Sequence, residues 1–179
     1  MARPYDEQKL TELLLYVSKR LEGDPGGGAT KVNKVLFFSE FAHMRAHGRP
    51  ITGAEYQKLE RGPAPRRLKP VRRALEERGE AEVVEETHLG YVQHRLVAKR
   101  VADVSVFTAD EIAIVDQVLA DLEGRNARDV SVLSHDEIGW RMVDDGETIP
   151  YEAAYLRPPV LTQAVRRHAA ALAERMGRP

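Results

Sequence analysis

Thr30-Lys31-Val32-Asn33-Lys34-Val35-Leu36-Phe37-Phe38-Ser39-Glu40-Phe41-Ala42 is the stretch that decides the architecture of this chain. Its apolar residues (Val32, Val35, Leu36, Phe37, Phe38, Phe41 and Ala42) fall around most of a helical circumference instead of along one stripe. A helix apolar on nearly all sides belongs at the centre of a core. Thr30 is suited to cap its N-terminus, and Gly48 to end it.

The segments on either side read as elements that wrap this helix. Leu10, Leu13, Leu14, Val17 and Leu21 follow helical spacing, and the run Gly23-Asp24-Pro25-Gly26-Gly27-Gly28 then breaks the helix. Arg49-Pro50-Ile51-Thr52-Gly53 is a loop, Tyr56 to Arg61 is open between helix and strand, and Gly62-Pro63-Ala64-Pro65 is a corner. A short helix is expected from about Lys69 to Arg78, with Leu68, Val71 and Leu75 inward and Arg66, Lys69 and Arg73 on the other side. Ala81–Thr87 and Tyr91–Ala98, rich in Val, Thr and Tyr around Gly90, form a β-hairpin. Thr108 and Glu111 make a capping box that opens a helix with Ile112, Val115, Leu119 and Leu122 inward, and Asn126 caps a further short one. Ser134 and Glu137 repeat the capping-box pattern, which predicts another helix start at Ser134. A last helix follows Pro158-Pro159, with Leu161, Val165, His168 and Leu172 on one stripe. The expected fold is mainly α (α+β): about seven helices around the central apolar helix, with one hairpin, in a single domain over residues 1–179.

Composition narrows the chemistry. The 179 residues include no cysteine, which excludes disulfides, thiolate catalysis and Cys-based zinc sites. Val35-Leu36-Phe37-Phe38 is among the longest apolar runs, far below the roughly 20 residues of a membrane span. Met1 to Leu10 is too polar for a signal peptide, so a cytoplasmic location without membrane contact is expected. Net charge is only −1, but the charges are segregated: six basic and no acidic residues from Arg61 to Arg73, six acidic and one basic from Asp136 to Glu152. Such a chain can present two faces of opposite sign to a charged macromolecule.

Three patterns resemble catalytic or ligand sites and lack a full set. His43 and His47 have metal-ligand spacing, with Glu40 one turn earlier, but nothing nearby supplies further ligands. Gly26 to Lys31 faintly resembles a phosphate loop, although Thr precedes Lys and no strand leads into it. His135 beside Asp136 or Glu137 resembles a base with its orienter, without a nucleophile. No catalytic residue, metal or cofactor is assigned. Trp140 reads either as core packing with His135 or as a half-exposed binding anchor. The basic segment before the hairpin has the order of a winged helix, in which Arg66, Lys69 and Arg73 would meet phosphates. Against that order, the hairpin tip is Thr87-His88-Leu89-Gly90, without a basic residue, and Glu85-Glu86 precede it.

Several of these segments recur together in one family. Lys31-Val32-Asn33-Lys34-Val35-Leu36-Phe37-Phe38, Gly48-Arg49-Pro50-Ile51, Gly62-Pro63, the hairpin, Thr108 to Glu111, Ser134-His135 with Trp140, and Ile149-Pro150-Tyr151 resemble, in order, the Panacea domain, the SocA-like antitoxin domain of bacterial toxin–antitoxin systems. The resemblance covers about residues 31–155 and leaves 156–179 as a C-terminal helical extension. Leu59-Glu60-Arg61 before the corner and Ala64 after it depart from the family pattern. The resemblance implies a non-enzymatic antitoxin that binds the protein toxin of a neighbouring gene, or a proteolytic adaptor to a Clp-family protease. Gly62, Pro63, Ser134, His135, Glu137 and Trp140 are its structural motif. Partner contact is expected at Arg66, Arg67, Lys69, Arg73, Trp140, Asp144, Asp145 and Glu147. The alternative is a winged-helix-like DNA-binding regulator.

Overall fold

Helix α2 (Ala29–His47) lies at the centre of the molecule, with Val35, Leu36 and Phe37 at most 1% exposed. The computed structural model describes residues 4–156. Around α2 are packed α1 (Glu7–Arg20), α4 (Ala109–Asp121) and α5 (Ala127–His135), and α3 (Leu68–Glu77) packs on α1. A short α6 (Ile138–Met142) follows α5. The described residues thus hold six α-helices. The seventh expected helix, after Pro158-Pro159, lies outside them.

Two small sheets complete the fold. Strands β3 (Ala81–His88) and β4 (Tyr91–Ala98) form the expected hairpin, which packs through β4 on α1 and through β3 on α3. Three two-residue strands, β1 (Tyr56–Gln57), β2 (Ala64–Pro65) and β5 (Thr148–Ile149), pair in the order β2-β1-β5. Tyr56 sits opposite both Pro65 and Ile149. The ambiguous Tyr56 segment is therefore extended, with one partner nearby in sequence and the other distant.

The local caps explain most boundaries. Asp6 accepts from Lys9 N and starts α1. The Thr108/Glu111 and Asn126/Asp129 pairs form reciprocal capping boxes and start α4 and α5. Two expectations are corrected. Helix α2 is capped by the backbone of Gly28, so Thr30 lies inside its first turn. Ser134 does not open a helix: it is the penultimate residue of α5, fully buried, with its hydroxyl donating back to Ser131 O at 2.7 Å. The chain breaks at Asp136–Glu137, and α6 begins after Glu137 without a side-chain cap.

Buried polar groups tie the loops to α2. Glu40 accepts from Ile51 N at 2.6 Å, from Thr52 N and from the Thr52 hydroxyl, which fixes the loop after α2. Burial pushes its carboxyl up to about 7, outweighing the opposing effect of those hydrogen bonds. Lys31 reaches Asp24 Oδ2 at 2.6 Å and Arg125 O at 2.7 Å, so the Gly-rich loop is held by an ion pair. Arg95 of β4 donates to Leu21 O, Asp24 O and Pro25 O, clamping the hairpin to the same loop. The hairpin turns on two residues, Leu89 (φ 51°) and Gly90 (φ 81°). A two-residue turn with both φ values positive favours Asn-Gly, and a leucine in that region costs about 1–2 kcal/mol.

Candidate functional site

The motif residues converge on one corner, built where the β2-β1-β5 sheet meets α5, α6 and α2. Gly62 turns it with φ 95°, and its amide donates to Leu59 O at 2.8 Å. The α-carbon of Gly62 lies directly over two buried side chains. A methyl group there would collide with Ser134 Oγ and would come within 2.9 Å of Lys34 Nζ. Glycine is required both by the backbone angle and by this approach.

Lys34 is 1% exposed, on the central helix α2, and donates to Pro63 O at 3.1 Å. Burial pushes its ammonium down from 10.5 to about 7. Ser131 donates to Arg61 O at 3.2 Å, so consecutive turns of α5 reach the corner backbone. Sequence reasoning read Lys34 only as part of a motif. The signal was present: a lysine on a helix buried all round needs a partner inside.

Trp140 closes the corner from outside. Its indole donates to Leu59 O at 3.3 Å, the carbonyl that also receives Gly62 N. His135 stacks on it at 4.1 Å and 17°, and Lys58 Nζ lies 4.4 Å from its ring centre. With a histidine and an ammonium group against the ring, Trp140 is half-buried and is not a free aromatic platform. His135 Nε2 is buried with no hydrogen-bond partner among the described residues. Glu137 sits at the α5–α6 break. Gly139 lets α6 approach Ile149 and Ala153, where a methyl group would lie within 2.9 Å of each.

Lys58 links the corner to the acidic turn. It donates to Val143 O at 3.0 Å and lies 3.8 Å from Asp145, which is 87% exposed. Glu147 Oε2 accepts from Asp144 N at 3.2 Å, so Glu147 shapes the turn while Asp144 and Asp145 face solvent. Arg66 joins them: its guanidinium donates to Gly146 O at 2.6 Å, to Thr148 Oγ1 and to Gln57 Oε1. The expected separation of basic and acidic faces therefore fails at Arg66, because the β2-β1-β5 sheet brings it against the acidic turn. Nor does Arg66 share the outer face of α3. Arg67 lies over the Tyr5 ring at 5.9 Å. Lys69 and Arg73 are exposed on α3, and Arg73 pairs with Glu77 at 2.7 Å.

The remaining chemical patterns are accounted for structurally. His43 Nδ1 contacts Arg49 O at 2.7 Å and its ring stacks on His47, while Glu40 is occupied by the Ile51–Thr52 backbone. Among the described residues no group of three His, Asp or Glu is placed to hold a metal ion, and no helix is long and apolar enough to cross a membrane. A groove of about 310 Å³ between α2, α4 and α5 has Phe38, Phe41, Val118 and Leu133 in its wall.

A family model described as "Antitoxin SocA-like, Panacea domain" matches residues 32–141, more than half of the chain. The match takes in nearly all of α2, the Gly62-Pro63 corner, the hairpin and most of α6. It ends before the acidic turn and Ile149-Pro150-Tyr151. No curated protein and no solved structure matches the chain.

Proposed function

The chain belongs to the SocA-like antitoxin family, Panacea domain, and from that premise we propose that it neutralises a cognate protein toxin by direct contact. The observation that carries this reading is the family match over residues 32–141, which spans the core helix and the corner packed against it. The partner is the product of a neighbouring gene. A standard interface of roughly 1,600 Å² with a few anchors is within reach of a domain this size.

The corner supports the role as a rigid mount. Buried Lys34 and Ser134 hold Gly62-Pro63 from below, and Trp140 holds Leu59 from above. Solvent-facing charged groups remain on two elements: Lys69 and Arg73 on α3, Asp144 and Asp145 on the turn. They steer encounter and selectivity more than raw affinity. Arg66 and Glu147 serve the fold of the turn and are poor choices for testing binding.

Growth rescue and co-purification test the reading together. The tagged chain, co-expressed with the neighbouring product, is expected to restore growth and to co-purify with it. Toxicity that persists at full expression of the chain, with no complex, would overturn the proposal.

A further inference from the structure

We propose that the tip of the β3–β4 hairpin is a docking plug that inserts into an apolar, basic-rimmed cleft on a partner protein. The inference rests on the antitoxin reading and names the element that would engage the toxin. Leu89, Tyr91 and Val92 are 73%, 79% and 60% exposed, and they are contiguous at the end of the hairpin. In the hairpin register Tyr91 pairs with His88 and Val92 with Thr87, so the two side chains lie on opposite faces of the ribbon. Leu89 projects at the turn between them. Apolar groups on both faces and at the end make a plug, which suits a cleft better than a flat surface.

The backbone argues in the same direction. Leu89 holds φ 51°, in a turn where asparagine or glycine is free of strain. It is exposed as well as strained, so neither folding nor solubility accounts for a leucine there. A strained residue that the fold does not need is a reason to look for function. The base of the hairpin is anchored to the loop after α1. Arg95 bonds to Leu21 O and Asp24 O, and Gln93 donates to Pro25 O at 2.8 Å.

Charge identifies the occupant. From Glu85 to His94 the hairpin has two carboxylates, Glu85 and Glu86, and no lysine or arginine. Arg95, the nearest basic residue, is buried and is occupied by loop carbonyls and Glu86. Glu86 is in turn neutralised by Arg95, which leaves Glu85 as the carboxylate beside the apolar tip without an ion pair among the described residues. A phosphate surface, whether nucleic acid or an anionic bilayer, would find no lysine or arginine there to meet it. A protein cleft with a basic rim is complementary to it.

Leu89→Asn and Tyr91→Thr in the full chain test this by titration calorimetry against the purified product of the neighbouring gene, with melting measured in parallel. Leu89→Asn is expected to melt at or above the wild-type temperature and to bind at least tenfold more weakly. Tyr91→Thr, which keeps a good strand former, is expected to weaken binding likewise. Binding unchanged in both variants overturns the plug while leaving the antitoxin reading intact. No binding by the wild-type chain overturns both. Self-association of the wild type, or its sedimentation with phosphatidylglycerol vesicles, abolished by Leu89→Asn, would assign the tip to a second copy or to lipid and overturn the proposal.

Discussion

A methyl group on Gly62 would have to enter space held by Ser134 Oγ and Lys34 Nζ, at a backbone angle unfavourable to any side chain. Gly62→Ala is therefore expected to cost about 3 kcal/mol, from overpacking and positive-φ strain combined. Chemical denaturation would measure it, and Ser134→Gly should recover part of the loss if the contact is the cause. Trp140→Ala is expected to cost about 2 kcal/mol, below the range for a fully buried aromatic, because the ring is only half-buried. The two titrating groups of the core act in different pH windows. Lys34 has a folded value depressed to about 7, so the unfolded chain binds more protons above it and stability rises with pH from about 7 towards 10.5. Glu40 has a folded value raised to about 7, so its contribution is present below 4.5 and is lost as pH rises through about 7. Denaturation midpoints across pH should lose the first slope in Lys34→Met and the second in Glu40→Gln. The close approach at Gly62 was not legible in the sequence beyond a turn residue, since its cause lies in α2 and α5, distant along the chain.

Among the elements, legibility followed the range of the interactions. The capping box of α4 and the Asn126 cap of α5 are made within four residues, and both were readable, although the reciprocal bond of Asp129 was not. The same pattern at Ser134 and Glu137 misled because α5 had already begun at Asn126 and ran through Ser134. The hairpin was readable from its Val, Thr and Tyr content around Gly90. Strands β1, β2 and β5 were not, because two residues carry no periodicity and Tyr56 finds Ile149 only in the folded chain. The hairpin's docking depends on Arg95, a buried cation bonded to three loop carbonyls. Arg95→Met is expected to cost about 3 kcal/mol, since those carbonyls lose their donor. Hydrogen exchange should show the loss first as faster exchange in β3 and β4; unchanged protection there would contradict the clamp.

At the scale of the whole molecule, the charge segregated along the chain is bridged at Arg66. The small sheet folds Arg66 onto the acidic turn, leaving Lys69 and Arg73 on one element and Asp144 and Asp145 on another. Pattern analysis alone supported only a small, mainly helical domain with a buried central helix. The functional reading came from the order of the motifs, and the corner explains physically why Gly62, Ser134 and Trp140 go together. Charge reversal at Lys69 and Arg73, or at Asp144 and Asp145, should slow association with the partner several-fold and change its salt dependence, with little effect on melting. Calorimetric titration of the purified chain against the purified product of its neighbouring gene tests the central claim most directly. Saturable binding at a fixed stoichiometry, with an affinity that survives a rise in salt, is the predicted result. Absence of binding heat, together with DNA binding that falls steeply with salt, would contradict the account.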